Sequence, residues 1–497
     1  MDSAQVKNKS LSSALAGLFQ PVDGASCVFF RVCFGLLTAK WAWDYLAIGR
    51  VREFYIEPAF HFTYYGFDWV QPWPGEGMTL HFVGLIILSL MIAAGCFYRT
   101  STLLFAIGFT YVFLLDRTNY QNHYYLIGLI AWWLPWLPLN RLVSVDAARN
   151  PRISGQTVPA WALRVLQFHI FLPYFFGGIA KITPDWMLGE PLRTMLLSQV
   201  DMPLIGGVLG QPWVVSALVF SSLFFDLLVV PALLWKRTRI AAFLACIVFH
   251  LMNSIIFNIH VFPWFMLLST PIFFSPDWPR RVLGGLPLEL PFRQPQMSFS
   301  TRQVVGLSFC AVYLLFHLVW PLRHNVYPGD ASWNERGHYF AWRMMLRGKP
   351  VVLGYAIKDL ETGAVVDGRV QRFINSEQQD RFARDPEMIL HLAHHLGQQY
   401  RAETGRDCAV YALVMASLNG RKPELMLDPN VDLLQYPRGF YERPFVLAQK
   451  EPLRRPAWNL PVERWREVVE VPKLNFMPAK PGASDQSRLA SVKSTGN

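Results

Sequence analysis

The fold class the sequence predicts is an α-helical polytopic membrane protein of about nine transmembrane helices. A smaller soluble α+β domain is expected toward the C-terminus, on the outer side. Three observations lead there. Of 497 residues, 52% are hydrophobic and only 16% are charged, where soluble domains carry about 25% charged residues. The chain holds 37 Phe and 18 Trp, the aromatic side chains that suit a bilayer interface. Basic residues gather in alternate loops between apolar runs, as expected when the cytoplasmic loops are the positive ones.

The elements follow in order. Residues 1–25 carry Lys7 and Lys9 ahead of LSSALAGLF, a run too short to span and without a convincing cleavage site. It reads as a cytoplasmic, interfacial helix rather than a cleaved signal peptide. Residues 26–322 form the multi-span domain, with apolar runs at 26–48, 78–98, 101–115, 123–140, 160–180, 212–235, 239–259, 261–275 and 303–322. Nine crossings with the N-terminus inside put 14 basic residues in inner segments, among them Arg99, Arg141, Lys236 and Arg280, against five (Arg50, Arg52, Arg117, Lys181 and Arg193) outside. The run 261–275 is the weak member, because a straight span needs about 20 residues.

Beyond 322 the pattern changes. In the predicted outer domain, 323–450, VVLGYAIKD and AVVDGRV flank LETG as a hairpin. DPEMILHLAHHLGQQY has the period of an amphipathic helix, and AVYALVMAS reads as a further strand. Residues 451–497 are rich in Pro and charge and are expected to be irregular, the last fifteen disordered. The predicted outer segments hold no N-x-Ser/Thr sequon, which leans toward a bacterial inner membrane rather than the endoplasmic reticulum.

Several function classes drop out. The net charge of +11 is scattered between apolar spans rather than gathered on a face, so nucleic acid is not an expected partner. The six cysteines include no CxxC pair, so neither a disulfide framework nor a zinc site is expected. His391, His394 and His395 have helical i, i+3, i+4 spacing but no carboxylate partner, so no metal is expected. GGVLG at 206–210 has no strand–helix setting for a phosphate loop, and no HExxH, GxSxG or Walker pattern occurs.

What remains is a set of polar groups at the outer ends of apolar runs. Asn122 and His123 open the fourth run, Lys181 closes the fifth, His250, Asn253 and His260 lie toward the end of the seventh, and His324 follows the ninth. Each alone has an ordinary explanation. A terminal lysine snorkels, a histidine at a helix start is solvated, and an asparagine in an apolar helix bonds to a neighbouring helix. Polar groups from several spans at one depth are costly in a membrane and point to function. Lys40 and Asp44, four apart in the first run, read as an internal pair.

The stretch FGGIAKITPDWMLGEPL resembles the vitamin K-dependent gamma-glutamyl carboxylases and their shorter bacterial relatives, the family of the horizontally transferred transmembrane domain. YRTSTLLF, YVFLLDRTNYQNHYYL, FHLMNSIIFNIHVFPWFMLLSTPIFFSPDWPRR, WNERGHYFAWRMML and LDPNVDLLQY agree in order and spacing, from about residue 26 to 450. The resemblance implies that Lys181 is the general base, that Asn122 and His123 are the family's Asn-His pair, and that His324 is its histidine after the last span. Three features depart from the animal enzymes. His260 stands where they carry a glycine, His338 stands near where they carry a tyrosine, and this sequence ends where they continue into a long further region.

The implied reaction couples oxidation of reduced vitamin K, or a related quinol, by O2 to the epoxide with removal of a glutamate γ-proton and addition of CO2. No side chain is basic enough to take that γ-proton, so the oxidised cofactor supplies the strong base and the protein needs only a modest one. A lysine amine made dry by an apolar helix end would serve. Gly177 and Gly178 would let a ring or a neighbouring helix approach the backbone. The implied partners are membrane lipid, a lipophilic quinol and a glutamate-containing peptide or protein. Two other readings stay open: a relative that oxygenates quinol with another acceptor or none, and a non-catalytic lipid- or quinone-binding membrane protein.

Overall fold

In the first run, Gly35 lies midway along a helix spanning Ala25–Ala47 (α1). A Cβ there would come within 2.5 Å of the Ser89 carbonyl oxygen and 2.6 Å of the Ala93 nitrogen. The missing side chain therefore lets α1 lie directly against Gly77–Ala94 (α2), and Thr38 Oγ1 donates to Ser89 Oγ at 3.1 Å across the seam. The computed structural model describes residues 15–203, 205–257, 259–285, 299–458 and 460–476. The first four residues of LSSALAGLF and the last fifteen residues of the chain lie outside them.

The chain divides into two compact units: Met1–Gly348 with Phe373–Gln378, and Lys349–Arg372 with the residues from Gln379 on. In the first unit the long helices continue with Tyr98–Leu115 (α3), Asn122–Trp133 (α4), Ala160–Ala180 (α5), Pro212–Leu234 (α6) and Arg239–Phe257 (α7). Phe262–Ser269 (α8) and Thr301–Val319 (α9) complete the set. A short antiparallel pair, Pro21–Asp23 (β1) with Thr157–Pro159 (β2), ties the starts of α1 and α5 together. Arg280 Nε reinforces it by donating to Asp23 at 2.7 Å.

Seven described helices are long and apolar enough to cross a membrane. The expected count of nine full spans is not confirmed at α4 and α8. The helix α4 has 12 residues, about 18 Å at 1.5 Å per residue, well short of a ~30 Å hydrocarbon core. It passes into a 3₁₀ turn, Leu134–Trp136, that contains Pro135. Phe262–Phe273 is likewise short, its last four residues a 3₁₀ turn around Pro271. Proline removes a backbone donor and crowds the preceding turn, so an apolar run need not be one straight helix. The protein is a multi-pass membrane protein nonetheless.

The interior of this unit is aromatic. Phe30, Phe34, Phe82, Tyr98, Phe105 and Phe109 are almost wholly buried. The Trp41 ring lies 5.2–5.6 Å from those of Phe82, Phe109 and Tyr124, joining α1 to α2, α3 and α4. The helix α9 keeps most of its apolar surface exposed. It is held to α5 by a part-buried bond, His169 Nε2 to the Tyr313 hydroxyl at 2.6 Å. Lys40 and Asp44 form the expected i, i+4 pair, at 2.9 Å. The segment 323–348, grouped by composition with the outer domain, belongs by contact to this first unit.

The second unit has the expected strands and helix. Val351–Asp359 (β3), Val365–Asp367 (β4), Cys408–Ala416 (β5) and Glu424–Leu425 (β6) form an antiparallel sheet in the order β4-β3-β5-β6. Its register runs from Val351 opposite Ala416 to Asp359 opposite Cys408. At the β3–β4 turn Asp359 accepts from the backbone nitrogens of Glu361 and Thr362, while Gly363 takes a positive φ of 70°. Pro386–Thr404 (α10), N-capped by Asp385, packs against β5. Its His394 is bonded to the Tyr436 carbonyl.

Candidate active site

The stretch FGGIAKITPDW folds into a device for holding one ammonium group. The helix α5 ends on Lys181, whose backbone at φ −79°, ψ −9° is the last helical conformation. Thr183 then turns to an extended conformation and caps a short helix, Pro184–Met187, its hydroxyl accepting from the Trp186 nitrogen. That reversal brings the Trp186 ring to 5.1 Å from Lys181 Nζ, within cation–π range. Phe249 of α7 offers a second ring at 5.9 Å. Lys181 is 7% exposed, which a snorkelling anchor would not be.

Its main partner comes from α6. Lys181 Nζ donates to Asp226 Oδ2 at 2.6 Å, and both side chains are buried. The two glycines make this possible. A Cβ on Gly178 would lie 2.7 Å from Leu227 Cδ2 and 3.2 Å from Asp226 Cβ, and one on Gly177 would lie 3.4 Å from Asp226 Oδ2. The lone dry amine of the sequence reading is thus half of a buried ion pair. Asp226 was overlooked, although its signal was there: it is the only charged residue in the run 212–235. A carboxylate inside an apolar span needs a partner.

The pair faces a cavity of about 630 Å³ between α4, α5, α6, α7 and α8, closed along one wall by the segment 338–347. Six of the nine predicted site residues line it: Asn122, His123, Gly177, Lys181, His250 and Asn253. His123 is held by stacking on Phe262, with ring centroids 5.4 Å apart, and its Nε2 is buried without a hydrogen-bond partner among the described residues. The loop before it is shaped by buried Asp116, which accepts from Thr118 nitrogen and from Gln378 Nε2 at 2.7 Å. Asn122 Oδ1 accepts from the Tyr120 hydroxyl at 3.0 Å, which itself accepts from the Phe340 nitrogen. On the far wall the Tyr174 hydroxyl and His250 Nε2 lie 2.7 Å apart, and His250 Nδ1 has no partner among the described residues. Tyr174 and Arg343 also line the cavity and were not foreseen. A tyrosine in an aromatic-rich helix carries no distinguishing pattern.

The other three predicted residues lie elsewhere. Gly178 meets α6, as the glycine argument required, but is not part of the cavity wall. His324 bonds through Nδ1 to the Pro321 carbonyl and packs against Gly337, where a Cβ would be 2.8 Å from His324 Cα. His260 is exposed beyond the end of α7, its Nε2 accepting from Arg50 at 3.1 Å. Burial and the Arg50 guanidinium lower its imidazole from the ordinary pKa, with Asp44 acting the other way. Its backbone φ is +36°, a left-handed conformation that glycine adopts at no steric cost. A glycine, which the resemblance puts here in the animal enzymes, would take this conformation without strain. His260→Gly is expected to leave activity intact and to change unfolding free energy by no more than ~1 kcal/mol, read from the melting transition. A large loss of activity would return His260 to the site.

Among the described residues no group of three or more His, Cys, Asp or Glu is placed to hold a metal ion. The polar atoms of the cavity are instead dispersed around apolar and aromatic walls, a distribution suited to an organic molecule with a few hydrogen-bonding groups. Comparison with known proteins agrees with the motifs. Residues 19–278, more than half of the chain, match the HTTM domain, and residues 302–452 match the lumenal domain of vitamin K-dependent gamma-carboxylase. No solved structure matches the chain. A transmembrane unit with the Lys181 and His123 motifs in its cavity, followed by the second carboxylase module, establishes that this chain belongs to the vitamin K-dependent gamma-glutamyl carboxylase family.

Proposed function

We propose that the protein oxygenates a lipophilic quinol in this cavity and couples that oxidation to carboxylation of a glutamate side chain. The observation that carries the reading is the buried Lys181–Asp226 pair facing the same apolar cavity as the unpartnered His123 Nε2. The residues present fit a quinol. Phe225, Phe249, Phe262 and Tyr174 supply aromatic walls, while His123 Nε2 and His250 Nδ1 are free to meet two hydroxyl groups. The quinol, once oxidised by O2, supplies the strong base that no side chain can be.

The protein's part is modest acid–base work at stated atoms. Asp226 Oδ2 already accepts a hydrogen bond from Lys181 Nζ. Passing that proton to the carboxylate leaves a neutral acid and an amine lone pair, with no change in net charge and no need for bulk water. The amine then takes a hydroxyl proton from the substrate, regenerating the ammonium beside the new negative charge. His123 orients that oxygen, and Phe262 fixes its ring. Trp186 and Phe249 keep water from Nζ.

The direct test gives purified protein reduced vitamin K, O2, labelled bicarbonate and glutamyl peptides, and scores epoxide and fixed carbon separately. Both products are expected. Epoxide alone identifies a quinol oxygenase with another acceptor, and neither product from folded protein sinks the reading in favour of a binding protein.

The asymmetry of basic residues supports an N-terminus inside and the C-terminal domain outside. Cysteine placed at Lys7 and at Glu377 and probed with an impermeant maleimide on intact cells is expected to label only at 377. Labelling at both positions would reverse that assignment and mean that an even number of segments crosses.

A further inference from the structure

The charges around the cavity do not balance. Lys181 is paired with Asp226, and Arg347 with Glu335. Arg343, on the segment that closes the cavity, is 5% exposed, and among the described residues no carboxylate lies within ion-pair distance of it. Among the described residues its side chain's only hydrogen bond runs from Nη2 to the Ser332 hydroxyl at 3.0 Å, and its buried Nε meets no partner. The nearest acid that acts on it, Asp330, does so only through space, its own side chain capping the Ala331–Asn334 turn. A buried charge without a counter-charge is destabilising, and a guanidinium is the side chain whose planar fork matches a carboxylate.

We propose that Arg343 is an oxyanion-binding residue of this cavity, holding the carboxylate or bicarbonate group of a second ligand while the aromatic walls hold the first. The other charges of the cavity and its closing segment are accounted for. Asp226 and Glu335 are neutralised by their own partners, His338 adjoins Glu335, and Met344 and Leu346 close the cavity wall beside it, with Ser332 behind. One anion therefore completes the site without leaving a charge over. The inference rests on the quinol reading only in the choice of probes. The same chemistry is carried by bicarbonate and by the side-chain carboxylate of a glutamyl peptide, and the experiment separates these sources.

Purified full-length protein is melted in detergent with increasing sodium bicarbonate, with sodium chloride at equal ionic strength, and with a glutamyl or the corresponding glutaminyl peptide. A saturable rise in melting temperature is expected with bicarbonate, with the glutamyl peptide, or with both, and not with chloride or the glutaminyl peptide. Arg343→Gln is expected to weaken that response at least tenfold. Arg343→Lys, which keeps the charge and loses the fork, should weaken it several-fold, and this variant decides the matter if the glutamine variant does not fold. No oxyanion-specific rise in the wild type, or an equal rise in both variants, overturns the proposal. Stabilisation by vitamin K, measured on the same samples, reads the quinol site separately. It should survive Arg343→Gln, and its absence beside an intact oxyanion response would sink the proposed function and leave this inference standing.

Discussion

Lys181→Ala is expected to lower quinol epoxidation and carbon fixation together, by ~10²–10⁴-fold, the range for loss of a positioned general base. Both products should fall by the same factor, because both descend from the one proton that Nζ accepts. The buried pair adds a second expectation. Removing one partner leaves Asp226 as an uncompensated charge in α6, at a cost of ~3–5 kcal/mol. Lys181→Met combined with Asp226→Leu removes both charges and should recover most of that stability while remaining inactive. Loss of activity is thereby separated from loss of fold. A membrane anchor predicts the opposite outcome: poor insertion, with full activity in whatever protein folds. Near-full epoxidation by folded Lys181→Ala would end the assignment of Lys181 as the base.

His123→Ala is expected to reduce epoxide formation ~10²-fold or more, within the range for a positioned donor or acceptor. The structural cost should be smaller than at Lys181. The ring stacks on Phe262 and touches Tyr124, but its Nε2 bonds to nothing whose loss would strand a partner. Unchanged epoxidation in folded protein would show that His123 only packs. Asn122 is the weaker test, since its Oδ1 already serves Tyr120 and hence the backbone at Phe340, so its loss would shift the cavity wall as well.

How much of this was legible depends on the range of the interaction. The membrane class, the strands of the second unit and the motif around Lys181 follow from composition and from patterns within a few residues. Apolar runs exclude charge over tens of residues, strands alternate, and Thr183 caps the turn three residues ahead of Trp186. Which apolar runs form one straight helix did not follow, because hydropathy counts apolar residues and does not register where Pro135 and Pro271 shorten a helix. Of the candidate residues, His123, Asn122, Lys181, His250 and Asn253 reach one cavity. His260 and His324, at similar positions along their runs, do not. Depth in a membrane can be read from a span's ends, but the direction a side chain takes around the helix axis is set by packing.

By itself, then, the sequence determined a multi-pass membrane protein of the gamma-glutamyl carboxylase family with a lysine, an Asn-His pair and a run of small residues in the right order. Only the tertiary structure decided what surrounds that lysine. Asp226 stands 45 residues away and Arg343 more than a hundred beyond that, and no local pattern links them. Helix packing at Gly177 and Gly178 brings the carboxylate to the amine, and the segment after the last long helix carries the unpaired guanidinium to the cavity. Buried charge is expensive enough that its partners must be supplied, and partners drawn from separate helices meet only when the helices do.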